Sequence, residues 1–184
     1  FMLNLDGVRS HNYVFQSPEI GDRQIVLSTG RGIGGGSRVN GSMWVRGYKQ
    51  DYDDWESATG SAKWGWNNVL QKFRTIENFD GETSEYHGYG GKLYVKQTNK
   101  QNQVVENFLN GAVASGYQRY SDINGEILLG NEGCGMTQAL IKENQRYSIL
   151  HSYLYPQLEN RNFTIATGKT VSKVLVDSNG SCVG

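Results

Sequence analysis

Glycine is concentrated between residues 30 and 41, where it occupies positions 30, 32, 34, 35, 36 and 41. The run follows the apolar stretch 25–27 and leads into residues 39–44, which we expect to be helical. A strand, a glycine turn and a helix start are typical where backbone approaches an anion, because glycine has no Cβ and helix-start N–H groups donate hydrogen bonds. The alternative is a flexible linker, but Ile33 and the apolar residues after it are unusual in linkers. The run therefore predicts a loop that approaches a phosphate.

Two common kinds of phosphate loop do not fit this run. Gly30, Gly32 and Gly35 match the G-x-G-x-x-G dinucleotide fingerprint, which is weak evidence by itself. The full fingerprint needs a second buried strand that carries an acidic residue about 20 positions further on. Residues 48–55 supply carboxylates but no apolar strand, and no Lys-Ser or Lys-Thr pair closes the glycines as in a Walker A loop. We therefore expect a phosphate-approaching loop that is not the primary Rossmann turn.

Other catalytic and metal chemistries find little support in the sequence. No Gly-x-Ser-x-Gly elbow accompanies the three histidines, and no two of them have the spacing of metal ligands. We interpret His87 as structural and His151 as a packing or surface residue. The acidic run 51–56 is a candidate cation site, but a solvated helix start explains it better, because carboxylates are favourable near the positive end of a helix dipole.

Charge and hydropathy exclude further classes of function. The 18 basic and 18 acidic residues give a net charge of zero, which argues against a general nucleic-acid or membrane-surface role. No apolar run reaches the roughly 20 residues that span a bilayer. The length of 184 residues fits one globular domain or parts of two. The compartment stays open.

The periodicity predicts a mixed α+β or α/β fold. Helices are predicted over residues 64–79, with Asn67 as a candidate cap, and over residues 102–115 and 147–155, the last ending near Pro156. Strands are predicted over residues 93–95, 135–141, 163–167 and 171–176. Asn179 and Gly180 predict a hairpin turn, and only four residues follow it, so we expect the chain to be cut from a larger protein.

Several stretches resemble the glucose-methanol-choline (GMC) oxidoreductases, in the order that this family has them. The stretch G-R-G-I-G-G-G-S-R-V-N-G-S-M-W-V-R-G-Y-K-Q-D-Y-D at residues 30–53 resembles the first family signature throughout its length. Further similar landmarks lie at residues 51–55, 64–66, 69–74, 77–78, 86–88, 122–125, 146–148 and 153–156. The family's N-terminal dinucleotide fingerprint and C-terminal catalytic histidine are not visible. The resemblance therefore implies the middle portion of a larger enzyme.

The resemblance implies part of an FAD-binding domain joined to part of an antiparallel-sheet substrate domain. Residues 1–60 would belong to the FAD-binding domain and carry the glycine-rich flavin loop. Residues 61–160 would be mostly substrate-domain helices and strands, and residues 161–184 would return to the FAD-binding domain and be truncated.

The resemblance also implies the residues that contact a non-covalent FAD. The backbone of the glycine triplet would approach the pyrophosphate, the following stretch would line the isoalloxazine, and one later residue would contact the adenine. These cofactor-binding residues are Gly34, Gly35, Gly36, Asn40, Gly41, Ser42, Met43 and Val171. Some family members bind flavin through a histidine just before the signature asparagine, but Val39 occupies that position here. A plain strand residue at Val171 is the alternative, and Trp44 either packs beside the ring or fills core.

The implied reaction is oxidation of the CH–OH group of a small alcohol with hydride transfer to the flavin. No catalytic residue of the family falls within this chain, so we expect the isolated chain to be inactive without the N- and C-terminal segments. Gln138 is a polar candidate for a substrate-pocket strand. Two alternatives are open: a catalytically inert structural remnant of the same fold, and a member that cleaves cyanohydrins as a hydroxynitrile lyase.

Overall fold

The computed structural model describes residues 10–98 and 102–184. The strands among these residues are β1 (Ser10–Gln16), β2 (Gln24–Gly30), β3 (Met43–Trp44), β4 (Glu77–Phe79), β5 (Leu93–Val95), β6 (Gln118–Tyr120), β7 (Gly133–Gly135), β8 (Gln138–Ala139), β9 (Ile141–Lys142) and β10 (Gln145–Arg146). The α-helices are α1 (Lys49–Thr59), α2 (Trp66–Ile76) and α3 (Gln103–Ala114). Helices and strands are both present and are interspersed along the chain, which confirms the predicted mixed fold.

The strands pair two at a time. β1 and β2 form an antiparallel hairpin that contains the strand expected at residues 25–27, and β3–β8 and β9–β10 are also antiparallel. By contrast, β4–β5 and β6–β7 are parallel pairs. Parallel strands need a connection of about a dozen residues to bring the chain back. This requirement explains the long connections 80–92 and 121–132.

A small aromatic and aliphatic core packs α1 against α2. Tyr52 and Trp66 are buried with Ile127 and Leu128, and the partly buried side chains of α2 surround them. The predicted helix over residues 64–79 is confirmed as α2, but Gly65 rather than Asn67 is its N-cap. The chain passes straight from α2 into β4 and so carries Glu77 into the interior.

The predicted helix over residues 102–115 is confirmed as α3. The Asn102 side chain accepts the Val105 N–H at 3.0 Å and so caps the helix start. Leu109 is buried, whereas Val104 and Phe108 of the same predicted apolar face are 76% and 75% exposed. None of the helices in residues 10–98 and 102–184 is long and apolar enough to cross a membrane.

The third predicted helix forms as a π-turn and a 3₁₀ turn, Leu150–Leu154 and Tyr155–Gln157. Pro156 lies inside the 3₁₀ turn rather than beyond the helix end. It is tolerated there because the first residues of a helical turn need no N–H partner.

Two strand predictions near the end of the chain are wrong and a third is only partly right. Residues 163–167 form no strand, and residues 171–176 contribute a single bridge, Val176 with Cys182. Both stretches are exposed. Residues 163–167 have no strand among the described residues to pair with, and in the second stretch only Leu175 and Val176 are paired, with residues 182–184, so neither stretch joins a sheet. Residues 135–141 form short separate strands rather than one. The turn at Asn179 is confirmed, with Gly180 at φ 79°.

Candidate functional site

The glycine-rich loop leaves the end of β2 and turns at once into a 3₁₀ turn over Gly35–Arg38. Gly34 and Gly35 have φ values of 88° and 48°, in the left-handed region that favours glycine. A Cβ at Gly30 would overlap the carbonyl group of Gly35. Glycine is therefore required where the loop folds back on the strand that precedes it.

Several N–H groups of this loop are available to a ligand. The N–H groups of Gly34, Gly36 and Gly41 have no hydrogen-bond partner among residues 10–98 and 102–184, and the latter two residues are exposed. Gly36 does not have a positive φ, and a Cβ built on it meets nothing within 4 Å. Neither the backbone nor the packing of the described chain requires glycine at position 36. Open donors with no side chain beside them are the features that an anion site needs.

The helix expected at residues 39–44 does not form. The Asn40 side chain accepts the Ser42 N–H at 3.0 Å, which closes a tight turn, and Ser42 has φ 58°. Met43 and Trp44 then pair with Ala139 and Gln138 as strands β3 and β8. A partner strand almost a hundred residues away decides this conformation, so the local sequence pattern did not predict it.

The segment around Arg146 anchors the loop from one side. Arg146 Nη1 donates to Asn40 Oδ1 at 2.6 Å and to the Ser37 carbonyl at 3.3 Å. The Ile149 N–H donates to Ser37 Oγ at 3.3 Å, and a Cβ on Gly34 would lie 3.0 Å from Leu150 Cγ. The loop is thus held by side chains from a distant part of the chain.

The structure brings seven of the eight predicted cofactor residues together, because all seven lie on this one loop. Met43 is 63% exposed, whereas Ser42 is 2% exposed and its carbonyl accepts the Leu140 N–H at 2.8 Å. The Ser42 N–H is already used by Asn40, so the open donor in this half of the loop is that of Gly41. Val171 lies outside the loop, is 79% exposed, and forms none of the described hydrogen bonds to it.

A buried ionic network lies behind the loop. Arg46 Nη2 and Glu77 Oε2 are 2.7 Å apart, and both side chains are fully buried. His87 bridges two carboxylates, with Nδ1 at 2.9 Å from Glu77 Oε2 and Nε2 at 2.9 Å from Asp122 Oδ2. Phe79 stacks on the imidazole at a centroid distance of 3.7 Å. Because each ring nitrogen lies at hydrogen-bond distance from a carboxylate oxygen, the site favours the doubly protonated imidazolium form of His87.

The charges of the network support one another. Burial raises the pKa of Glu77, but the hydrogen bond from His87 and the charges of Arg46 and His87 outweigh it, so the pKa is lowered. Burial likewise raises the pKa of Asp122, and the hydrogen bond and charge of His87 again leave it below its ordinary value. Burial lowers the pKa of His87, but hydrogen bonds to Asp122 and Glu77 raise it overall.

Two amide side chains complete the network. Asn124 Nδ2 donates to Gln138 Oε1 at 2.7 Å, and Gln138 Nε2 donates to Asp122 Oδ1 at 2.7 Å. Asp122 also borders a cavity of about 480 Å³, lined by residues 79–84, Gln97, Ser121 and Asp122. Among the described residues no group of three or more His, Cys, Asp and Glu side chains is arranged to hold a metal ion.

The network explains several residues that sequence reasoning left undecided. His87 is structural, as expected, but its role is electrostatic as well as steric. Gln138 is fully buried, and its Nε2 donates to Asp122 and Gln97. Trp44 packs edge-on against Phe73 at 5.9 Å and donates through Nε1 to Glu77 at 3.0 Å, so it is turned toward the interior.

Sequence reasoning missed Arg46, Glu77, Asp122 and Asn124 as a unit. Their only signal was that each lies in or beside a stretch similar to the family, at residues 30–53, 77–78 and 122–125.

Comparison with known proteins decides the family. The chain matches the profile described as GMC oxidoreductase over residues 12–184. The chain belongs to this family. Among curated relatives it is 33% identical over 151 residues to an oxygen-dependent choline dehydrogenase of Brucella anthropi, with 82% of this chain and 27% of that protein covered. A protein of the same name from Staphylococcus haemolyticus is 28% identical over 178 residues, covering 94% and 31%.

Solved structures of the GMC family confirm the predicted fold class. An FAD-dependent oxidoreductase from Chaetomium thermophilum superposes with a TM-score of 0.75 at 23% identity, covering 96% of this chain and 34% of the other. A fungal aryl-alcohol oxidase superposes with a TM-score of 0.71 at 19% identity, covering 88% and 30%. The chain thus spans about a third or less of the length of each of these proteins.

Proposed function

We propose that this chain supplies the flavin-contacting loop of an FAD-dependent oxidoreductase that oxidises a CH–OH group of a small alcohol. The observation that carries the proposal is the glycine loop, in which the N–H groups of Gly34, Gly36 and Gly41 have no partner within the part of the chain that the structure describes. Family membership supports the cofactor. The names of the relatives, choline dehydrogenase and aryl-alcohol oxidase, support the class of substrate.

The residues present fit the cofactor. Gly36 is an exposed residue, and the space where its Cβ would stand is open, so the backbone can come within hydrogen-bond distance of a diphosphate. Gly34, Gly35 and Gly36 would hold the diphosphate, and Asn40, Gly41, Ser42 and Met43 would lie along the ring. Val171 would contact the adenine. FAD, when bound, supplies the hydride acceptor for alcohol oxidation.

Each part of the loop has a separate task in this proposal. The glycine triplet binds the diphosphate, because its N–H donors are open and no Cβ stands beside them. Asn40 orients the cofactor, because Arg146 and the Ser42 N–H both donate to its Oδ1. These two hydrogen bonds fix the plane of the amide and therefore the direction of Nδ2. With Val39 before Asn40, the loop offers no histidine for a covalent link at that position, so the cofactor is held non-covalently.

The test compares two glycines that differ only in their place in the fold. Gly36 and Gly90 are both exposed, neither has a positive φ, and a Cβ on either meets nothing within 4 Å. The purified protein that carries this chain is first examined for a visible flavin spectrum, and the Kd for FAD is then measured by titration. Gly36→Ala is expected to weaken FAD binding about tenfold or more, because the methyl group occupies the approach of the diphosphate, while Gly90→Ala leaves it unchanged.

Turnover is tested by following dye reduction with a panel of choline, aliphatic and aryl alcohols. Alcohol-dependent reduction that requires FAD supports the oxidoreductase. FAD binding without any turnover in the whole protein indicates the inert or lyase alternative. Equal Kd values for the two glycine variants contradict the assignment of the loop.

A further inference from the structure

The strand that leaves the glycine loop is held from behind by the buried network. Trp44 Nε1 donates to Glu77 Oε1 at 3.0 Å, and Asn124 Nδ2 donates to the Trp44 carbonyl at 2.8 Å. Arg46, two residues after Trp44, is held as well, because its N–H donates to Asn124 Oδ1 at 2.9 Å. These contacts begin one residue after Met43, the last residue of the loop assigned to the cofactor.

We propose that Glu77 and Asn124 are positioning residues that fix the Asn40–Met43 half of the loop against the cofactor by clamping Trp44 and Arg46. The inference deepens the proposed function and rests on it. Neither side chain reaches the loop's exposed face, since Glu77 and Asn124 are both fully buried. They act through the backbone and the indole of the strand that they hold.

The loop needs such a clamp because its own structure is slight. β3 has only two residues, and Met43 within it is 63% exposed. A two-residue strand paired with one neighbour is not stable by itself. The rigidity of this half of the loop must therefore come from what lies behind it, and a displacement of about 1 Å at a reacting group is enough to cost two orders of magnitude in rate.

Asn124 is suited to this task because every part of its amide is used. Its Oδ1 accepts from Arg46, and its Nδ2 donates to both Trp44 and Gln138. Its own N–H donates to Asp122 Oδ1 at 2.8 Å, so the loop carrying Asn124 is itself fixed by the network. Buried hydrogen bonds that satisfy one another in this way hold a single geometry.

Glu77 receives four donors on two oxygens. Oε1 accepts from Trp44, while Oε2 accepts from Arg46, His87 and the Gly88 N–H at 2.7 to 3.1 Å. Rotation of the carboxylate toward Arg46, His87 or Gly88 would therefore break its hydrogen bond with Trp44. The position of the indole, and of the strand that carries it, is coupled to the ion pairs behind it.

The experiment removes one donor from the clamp and keeps an aromatic ring on the strand. Trp44→Phe deletes the indole N–H that binds Glu77. Trp64→Phe is the matched control, because Trp64 is 48% exposed and its indole makes none of the side-chain hydrogen bonds found among residues 10–98 and 102–184. Two properties of the purified protein that carries this chain are measured: the Kd for FAD, and amide hydrogen exchange over residues 40–46 without FAD.

We expect Trp44→Phe to weaken FAD binding about tenfold and to speed exchange over residues 40–46 about tenfold, with exchange in α1 and α2 unchanged. Trp64→Phe should change neither property. A purely structural role instead predicts faster exchange throughout the chain and an unaltered Kd at temperatures where the protein is folded, and that result overturns the proposal.

A second variant keeps the proposal testable if Trp44→Phe does not fold. Asn124→Asp retains the acceptor for the Arg46 N–H but loses the donor to the Trp44 carbonyl, and it should give the same local exchange and the same loss of FAD affinity. Wild-type protein that binds no FAD overturns the proposed function, and the positioning role with it. Wild-type protein that binds FAD as tightly as its variants overturns the positioning role alone.

Discussion

Replacing Glu77 by glutamine tests how much stability the buried network contributes. The side chain is fully buried and its Oε2 contacts both Arg46 and His87. Glutamine has nearly the same volume but one oxygen instead of two and no charge. Its oxygen can keep the place of Oε2, but its NH₂ group then faces the Trp44 N–H, so two donors oppose each other.

The structure sets the size of the expected effect. Breaking a buried ion pair by removing one partner's charge costs about 3–5 kcal/mol, because the other charges remain buried without compensation. The free energy of unfolding should therefore fall by about 3–5 kcal/mol. For a chain of this size that corresponds to a decrease in Tm of about 6–20 °C.

The assay is urea unfolding followed by circular dichroism at pH 7, with Asp53→Asn as the control. Asp53 pairs with Lys49 on the surface of α1, where their side chains are 31% and 46% exposed. An exposed pair contributes about 0–1 kcal/mol, so the control should remain close to wild type. A Glu77→Gln protein that unfolds within about 1 kcal/mol of wild type, like the control, would refute the reasoning.

Two further predictions concern the same region. First, because the pKa of His87 is raised, its contribution to the free energy of unfolding is complete below about pH 6.5. This contribution is lost as the pH rises through the folded-state pKa of His87, with a slope of at most about 1.4 kcal/mol per pH unit. Because the pKa values of Glu77 and Asp122 are lowered, their contribution to the free energy of unfolding is complete above about pH 4 and is lost as the pH falls through their folded-state pKa values. The free energy of unfolding, measured from pH 4 to 10, should fall toward alkaline pH in the wild type but not in His87→Gln. Equal slopes against pH in the two proteins would contradict the assignment of His87 as an imidazolium. Second, Gly88→Ala should destabilise the protein by about 2 kcal/mol, because a Cβ there overlaps a backbone carbonyl of α2, whereas Gly90→Ala meets open space. Thermal melts of the two variants compare them directly, and coincident melts would show that the loop shifts freely.

The sequence predicted the elements whose signals are local. The spacing of apolar residues identified α2 and α3 to within a few residues, because a helix closes its hydrogen bonds within its own segment. The glycine run identified the loop for a similar reason, since the lack of a Cβ is a property of each residue. The turn at residues 179–180 follows from the Asn-Gly pair alone.

Only tertiary structure decided what surrounds that loop. The pattern of residues 39–44 is compatible with a helix, but the stretch forms a tight turn and then β3, because Gln138 and Ala139 offer Met43 and Trp44 a strand to pair with. Residues 171–176 read as a strand but form a single bridge, because the described chain gives them no wider sheet.

The buried network shows the same limit for the candidate site. The charged residues of the network come from four separated segments of the chain: Arg46, Glu77, His87 and Asp122. Taken singly in the sequence, each is typical of a surface or loop residue. Burial makes them a unit, because charges removed from water must find partners, and the return of the chain through the loops 80–92 and 121–132 supplies those partners. The sequence determined where the backbone could approach an anion, and the folded chain decided what holds that backbone in place.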